Sequence, residues 1–435
     1  MAMTAWIGDL FRSDVGWNHL ETLVDVPNRM AGTAGEREGA ARTRGALDEF
    51  ARDARLDEFA IQGWERGSTT IETPAGTADG IALPRSPADD VTGRFVDLGH
   101  GLPEDFEQTD VEDAIVMVSS DVPDWYDRFV HRKEKYYYAV RDGAAGFVFA
   151  NHYEGCLPPT GSVGNADDPI GEIPAVGVSK EVGARLRRRF EGQMIHVAVE
   201  ADVSDATSQN VHAELGPDTD EELLVTSHVD AHDIAEGAMD NGAGTAMVVE
   251  IARVLAERED ELDTRVHFVT YGAEEVGLVG SSHDAATRDR ETVRAIVNID
   301  GIVQARTLSV HTHGFDALGD AVTDLAEDFG HPVHTTPRQS THSDHWPYVQ
   351  WGVPGYHVTS ETGDEGRGWG HTYGDTFDKL ERRTFREQAV LLVELVRRLA
   401  DDGFDVAHVS PDVIAAALEA EDEAEGLKVI GNWPY

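Results

Sequence analysis

Cysteine is almost missing from this chain of 435 residues: Cys156 is the only one, so no intrachain disulfide can form, which suits a reducing compartment. Positive charge is scarce as well. Lys and Arg number 36 against 81 Asp and Glu, a formal net charge of −45, and the only lysines are Lys133, Lys135, Lys180, Lys379 and Lys428. Affinity for phosphates rests on Lys and Arg neutralising them, so nucleic acid is excluded as a partner. No apolar run approaches the roughly 20 residues that cross a bilayer. The opening MAMTAWIGDLFRSDVG lacks a basic stretch ahead of an apolar one. No membrane span and no secretory signal are therefore expected, and the expected location is cytoplasmic.

What is present is ample apolar material, 40% of the residues, in a length that predicts two or three domains. Between Gly35 and Leu56 the residues Leu47, Phe50, Ala51 and Ala54 follow helical spacing and predict an amphipathic helix. From 68 to 199 the chain is rich in Gly, Pro and Asp. Short apolar runs there, AIVMVSS (114–120), GFVFAN (146–151) and IPAVGVS (173–179), are bounded by turn residues and predict strands. Only 136–146 and 180–192 look helical, so this stretch reads as a β-rich module set inside another domain. After about Glu200 the texture becomes LLVTSHVD, TAMVVEIARVLAE, RVHFVTYG, AIVNIDGI. Strands alternating with helices predict an α/β domain: a mixed, mostly parallel sheet with helices on both faces. The expected parts are 1–67 and 200–405 for the main domain, 68–199 for the insertion, and 406–435 for an acidic tail in which EAEDEAEG (419–426) is solvated.

Chemistry gathers at strand ends. His228 and Asp230, two apart in LLVTSHVD, point to the same side of a pleat. Asp240 sits in the Gly-rich turn AMDNGAG ahead of a helix. Glu274 and Glu275 follow the strand RVHFVTYG, Asp300 ends AIVNID, and His371 lies in the loop GRGWGHTYGDT. Open α/β sheets place their ligand sites beyond the C-terminal ends of their strands. Two His and several carboxylates without a thiolate suit Zn²⁺, Co²⁺ or Mn²⁺. A carboxylate can bridge two such ions about 3.5–4 Å apart. Bridging by Asp240 would give each ion one His and one further carboxylate. Of the adjacent glutamates, one could bind metal while the other acts as a base, and the residues alone do not say which.

SHVDAHDIAEGAMDNGAG, YGAEEVGLVGS, VNIDG and GHTYGDT, in this order and at these intervals, resemble the metal-binding blocks of the M28 family of co-catalytic zinc peptidases. THSDHWPYVQWGVPGYHV (341–358) is similar to the family's segment ahead of the last His, and DVPNRMAGTAGE (25–36) to the start of its catalytic domain. The stretch between resembles a protease-associated domain. The resemblance implies two zinc ions per chain, one held by His228 and Asp300, the other by Glu275 and His371, with Asp240 bridging. It implies Glu274 as general base and Asp230 as the residue that orients His228. The implied activity is metal-dependent exopeptidase, foremost an aminopeptidase acting on peptides. A dipeptidase or carboxypeptidase-type enzyme, a glutaminyl cyclase and an inactive binding homologue are the alternatives. The sequence departs from the family pattern at Ala231, His232 and Asn241, where Ser, Trp and Asp are usual.

Around these residues His232 is expected to be a bystander on a turn. Asp344 and His345 are candidates for the substrate cleft, Tyr373 for an oxyanion contact, and Asp375 and Thr376 for a helix cap. The inserted module is expected to gate the cleft or to make homo-oligomer contacts. Self-repulsion at a net charge of −45 would destabilise a compact state in dilute buffer, whereas at about 1 M salt the Debye length is only about 3 Å. The composition resembles that of haloarchaeal proteins and predicts adaptation to molar cytoplasmic salt.

Overall fold

The computed structural model describes residues 5–165, 168–363 and 368–435. Its spine is a pair of antiparallel strands of 22 residues each, Arg52–Thr73 and Met194–Leu215. At one end of this ribbon Val211–Leu215 pairs with Arg265–Tyr271, and at the other Met194–Val199 pairs with Asp89–Asp97. One sheet therefore runs through both halves of the molecule, and the expected boundaries at 68 and 199 fall inside its two longest strands.

On the larger side the order continues from Arg265–Tyr271 through Glu222–His228, Val293–Ile299 and Gly355–Ser360, all parallel. Leu308–His311 then joins antiparallel and Val333–Thr336 closes the edge. Every residue of Glu222–His228 is buried, so both faces are covered, as the unbroken apolar run LLV requires. Helices Val15–Val24 and Arg382–Leu399 pack on Ala243–Ala256, which lies against these strands. The stripe Val248, Ile251, Ala252 and Leu255 is buried, as is Leu392, Leu395, Val396 and Leu399 on the last long helix. This is the mixed, mostly parallel α/β architecture expected.

Three expectations change. The first long helix is Ala34–Asp48, and the chain enters strand Arg52–Thr73 where helical spacing predicted another turn and a half. Pairing of Leu56 with Val211 and of Phe59 with Ser208 outweighs local periodicity there. The insertion keeps its expected strands and helices and gains one more helix: Asp89–Asp97, Ala114–Ser119, Gly146–Ala150 and Ala175–Val178 are successive parallel neighbours, linked by the unexpected Pro103–Gln108 and by Arg132–Arg141, with Lys180–Phe190 following. The acidic end is not a solvated tail. Helices Pro411–Ala420 and Ala424–Val429 bury Ile414, Leu418 and Leu427, with Ile430 just beyond, and the second contacts Arg132–Arg141 of the insertion. Two of its acids are drawn in: Glu421 accepts the N–H of Gln339 at 2.9 Å, and burial pushes the Glu423 carboxyl up to about 7. Among the described residues no helix is long and apolar enough to cross a membrane.

Candidate metal centre

The strand ends converge as open-sheet topology requires. His228 is the last residue of its strand, Asp300 follows the last residue of the neighbouring one, and Asp240 lies in the tight turn Ala238–Gly242 that starts helix Ala243–Ala256. The glycine at 244 is needed here, because a β-carbon would sit 2.1 Å from Asn241 Oδ1 and 2.5 Å from the Ile299 carbonyl. His228, Asp240 and Asp300 form one group of potential ligands, and His232, Glu275 and His371 form a second. Asp240 faces both. Its Oδ1 is 3.3 Å from His228 Nε2 and its Oδ2 is 3.1 Å from His371 Nε2. His228 Nε2 lies 3.6 Å from Asp300 Oδ1, while Glu275 Oε2 is 2.8 Å from His232 Nε2 and 3.3 Å from His371 Nε2.

Behind the ligands stands a set of holding contacts. The carboxylate of Asp230 accepts the backbone N–H groups of both Glu274 and Glu275 at 3.1 Å. His228 Nδ1 is 3.1 Å from the Asp230 carbonyl and 3.4 Å from its carboxylate, so Asp230 touches the ring through backbone and side chain. Ser343 Oγ donates to Asp300 Oδ2 at 2.6 Å and is itself held by Asn298, which Thr226 holds in turn. Asp375, expected as a helix cap, instead accepts the N–H groups of Met239 and Asp240 at 2.8 and 3.1 Å. Burial pushes its carboxyl up to about 7.

The two adjacent glutamates are driven apart. Glu274 belongs to neither ligand group and approaches His228 Nε2 only to 4.0 Å. Burial raises its carboxyl well above the usual range; His228 opposes this, and Glu275, Asp344 and Asp300 add to it. Burial also works to raise Glu275, but His232 and His371 outweigh it and hold that carboxyl low. Neighbouring acids with divergent pKa values are the pattern of one proton carrier beside one permanent anion. The residues alone left this order open.

Two buried ligand-type atoms lack a hydrogen bond among the described residues, His228 Nε2 and Glu275 Oε1. Buried polar groups are nearly always satisfied. Divalent ions at the two groups would satisfy these atoms, and a His and carboxylate donor set without thiolate fits zinc.

The structure places the remaining expectations differently. His232, expected as a bystander, joins the second ligand group, because the turn after Asp230 folds it back against His371, ring centroids 4.5 Å apart. His345 is fully buried, bonds to the Ser340 carbonyl at 2.7 Å and stacks on His357, so it sits behind the cleft. Asp344 is buried near the first group without lining the cleft. Tyr373 is 48% exposed and lies outside the cleft lining, next to His371 and Thr372, which are part of it.

Two residues escaped the sequence reading. Arg29, fully buried, donates to the carbonyls of Leu23, Val229, Glu236 and Gly237, and so ties the His232 turn to the N-terminal helices. Glu36 accepts from Gly32 N, Ser208 Oγ and Ala273 N and braces the turn before Glu274; burial pushes its carboxyl up to about 8. The Thr33-to-Glu36 spacing, a helix-start pattern, was the one signal available for it.

Above the ligands opens a cavity of about 780 Å³. Asp240, Glu274, Glu275, Asp300 and His371 face it from the peptidase-like half, Lys133 and Phe149 from the insertion, and Trp433 from the C-terminal segment. The insertion also clips the last ligand in place. Thr160 N–H donates at 2.8 Å to the carbonyl of His371, a non-glycine residue at φ +54°.

Comparison with known proteins agrees with this architecture. Residues 210–423 match the Peptidase family M28 model and residues 90–186 match the PA domain model. Aminopeptidase YwaD of Bacillus subtilis is 26% identical over 389 residues, covering 85% of this chain and 80% of that protein. The probable lipoprotein aminopeptidase LpqL of Mycobacterium tuberculosis is 26% identical, covering 65% of this chain and 57% of its own length. Among solved structures, BSAP, a zinc aminopeptidase from Bacillus subtilis, superposes with a TM-score of 0.69 at 25% identity, covering 89% of this chain and 95% of that one. A Peptidase M28 precursor from Shewanella amazonensis superposes at 0.77 with 20% identity, over 94% and 98%. The larger half of the chain thus resembles the M28 peptidases, and the stretch ahead of it resembles a PA domain.

Proposed function

We propose that this chain is a metallo-aminopeptidase that removes N-terminal residues from peptides with two divalent ions, zinc by the character of the donor set, and with Glu274 as general base. The observation that carries the reading is the placement of Asp240, one carboxylate oxygen toward His228 and the other toward His371, beneath a cleft that also exposes Glu274. His228, Asp240, Asp300, Glu275 and His371 would hold such ions, which would supply Lewis acidity toward a water and the scissile carbonyl. Glu274, whose carboxyl burial raises well above its usual range, takes a proton from the attacking water and returns it to the leaving amine. Asp230 fixes Glu274 and Glu275 by their backbone N–H groups, so both carboxylates keep their places as the proton moves. The acidic floor attracts the substrate's terminal ammonium and so favours exopeptidase action from the N-terminus.

The test is a mixed peptide library incubated with zinc-loaded protein in molar KCl and read by mass spectrometry, with Glu274→Gln as control. Stepwise loss of N-terminal residues, absent from the control, is expected. Trimming from the C-terminus, or release of intact dipeptides, would overturn the reading.

We further infer a haloarchaeal-type cytoplasm at molar salt as the working medium. The charge of −45 and the single cysteine support it. A thermal midpoint that climbs with KCl to molar concentrations is expected, and full stability in dilute buffer would refute it.

A further inference from the structure

One helix of the insertion, Arg132–Arg141, carries two buried lysines with different fates. Lys135 Nζ is used locally, donating to the carbonyls of Ser119 at 2.8 Å and Asp121 at 2.7 Å. Lys133 instead lines the cleft above the ligands. Its Nζ lies 3.3 Å from where a β-carbon on Gly277 would stand, three residues after Glu274. Among the described residues no hydrogen bond or ion pair engages that amine, while Arg132 beside it, which also lines the cleft, donates to the Ser162 carbonyl. Burial, with Arg132 and Arg85 adding to it and Glu274 opposing it, lowers the Lys133 pKa to about 7, so a carboxylate placed beside it would favour the charged ammonium. Gly277 leaves the space open, since a side chain there would crowd the ammonium.

We propose that Lys133 receives a carboxylate of the substrate on the leaving-group side of the scissile bond. The chemistry has two sources: the free α-carboxylate of a dipeptide, or an acidic side chain on the residue after the cut. Charge fixes the side. The substrate's terminal ammonium is attracted to the acidic floor and repelled by Lys133, so the amino end lies away from the lysine and the leaving group lies toward it. In a chain with 36 cations against 81 acids, a lysine aimed from the PA domain into the cleft also provides a local counter to the field that repels anionic substrates. The proposal rests on the aminopeptidase reading for the identity of the substrate.

Calorimetric binding to the zinc-loaded, full-length Glu274→Gln protein separates the two. The ligands are Leu-Gly against Leu-Gly amide, and Leu-Asp amide against Leu-Asn amide. A preference of at least about tenfold for the carboxylate member of one pair is expected, falling to about twofold or less in both Lys133→Met and Lys133→Gln. Which pair shows it identifies the source. No preference in either pair, a preference that survives both substitutions, or an equal loss across all four ligands would overturn the proposal. Turnover of the same peptides by the protein with Glu274 intact tests the aminopeptidase reading separately: discrimination in binding without N-terminal hydrolysis would refute that reading and leave the carboxylate site standing.

Discussion

The two halves of the candidate metal centre are built in different ways. His228 and Asp300 stand at the ends of adjacent parallel strands and inherit the rigidity of the sheet, while Asp240 sits in the tight turn just ahead of a buried helix. His232, Glu275 and His371 all come from connecting segments, and each is held by something distant: the His232 turn by Arg29, the Glu274–Glu275 turn by Asp230 and Glu36, and the His371 loop by Thr160 of the insertion. Sites on regular elements are placed more accurately than sites on loops, so the loop-built half needs more support. The PA domain, which contributes no ligand, thereby takes part in positioning one.

The sharpest way to break this comparison is at the residue the halves share. Asp240→Ala is expected to lower the metal content from two ions to none and to take turnover below detection, with elemental analysis of dialysed protein as the measurement. Retention of one tightly held ion would show that the halves are independent rather than bridged. Next in size is His232→Ala. Loss of a metal-supporting group costs about 10–100-fold in affinity, and the second ion alone should show that loss in a chelator titration. Equal weakening of both ions would place His232 outside the loop-built half. On the strand-built half, Ser343→Ala removes the hydroxyl that holds Asp300 at 2.6 Å, and the first ion is expected to weaken by about tenfold while the second keeps its affinity.

The same contrast explains what was legible in the sequence. The strand-end ligands announce themselves, because an apolar run of strand length followed by an acid or histidine marks both the element and the functional edge. His371 and the Glu pair were legible through their glycine-bracketed motifs. His232 was not: a histidine in AHD carries no signal of its own, and only the return of the turn toward His371, fixed by Arg29 some 200 positions earlier, brings it to the second group. Asp375 and His345 were misplaced for a related reason. A side chain's local pattern, a helix cap or a neighbour of a conspicuous Asp, gives way when a distant backbone group or a histidine stack offers it a buried partner. The acidic end misled through composition, since 419–426 is rich in charge while the apolar residues that dock it, Ile414, Leu418 and Leu427, are spread across two helices.

The smallest effect tests the scaffold beneath the strand-built half. His19, on helix Val15–Val24, is buried against Thr43 at 3.1 Å, and burial, with Arg29 and Arg42 adding to it, lowers its pKa from 6.5 to about 4. The folded ring refuses a proton that the unfolded chain accepts, so stability from this site is complete above pH 6.5 and is lost as pH falls toward 4. Between pH 7 and 5.5 the loss amounts to about 1 kcal/mol. In metal-free protein, where release of ions cannot contribute, the fall of the thermal midpoint over that interval should be shallower for His19→Gln than for the unmodified chain. Identical slopes would mean that acid acts first on the loop-held segments, and that the helical layer behind the strand ends outlasts the site it supports.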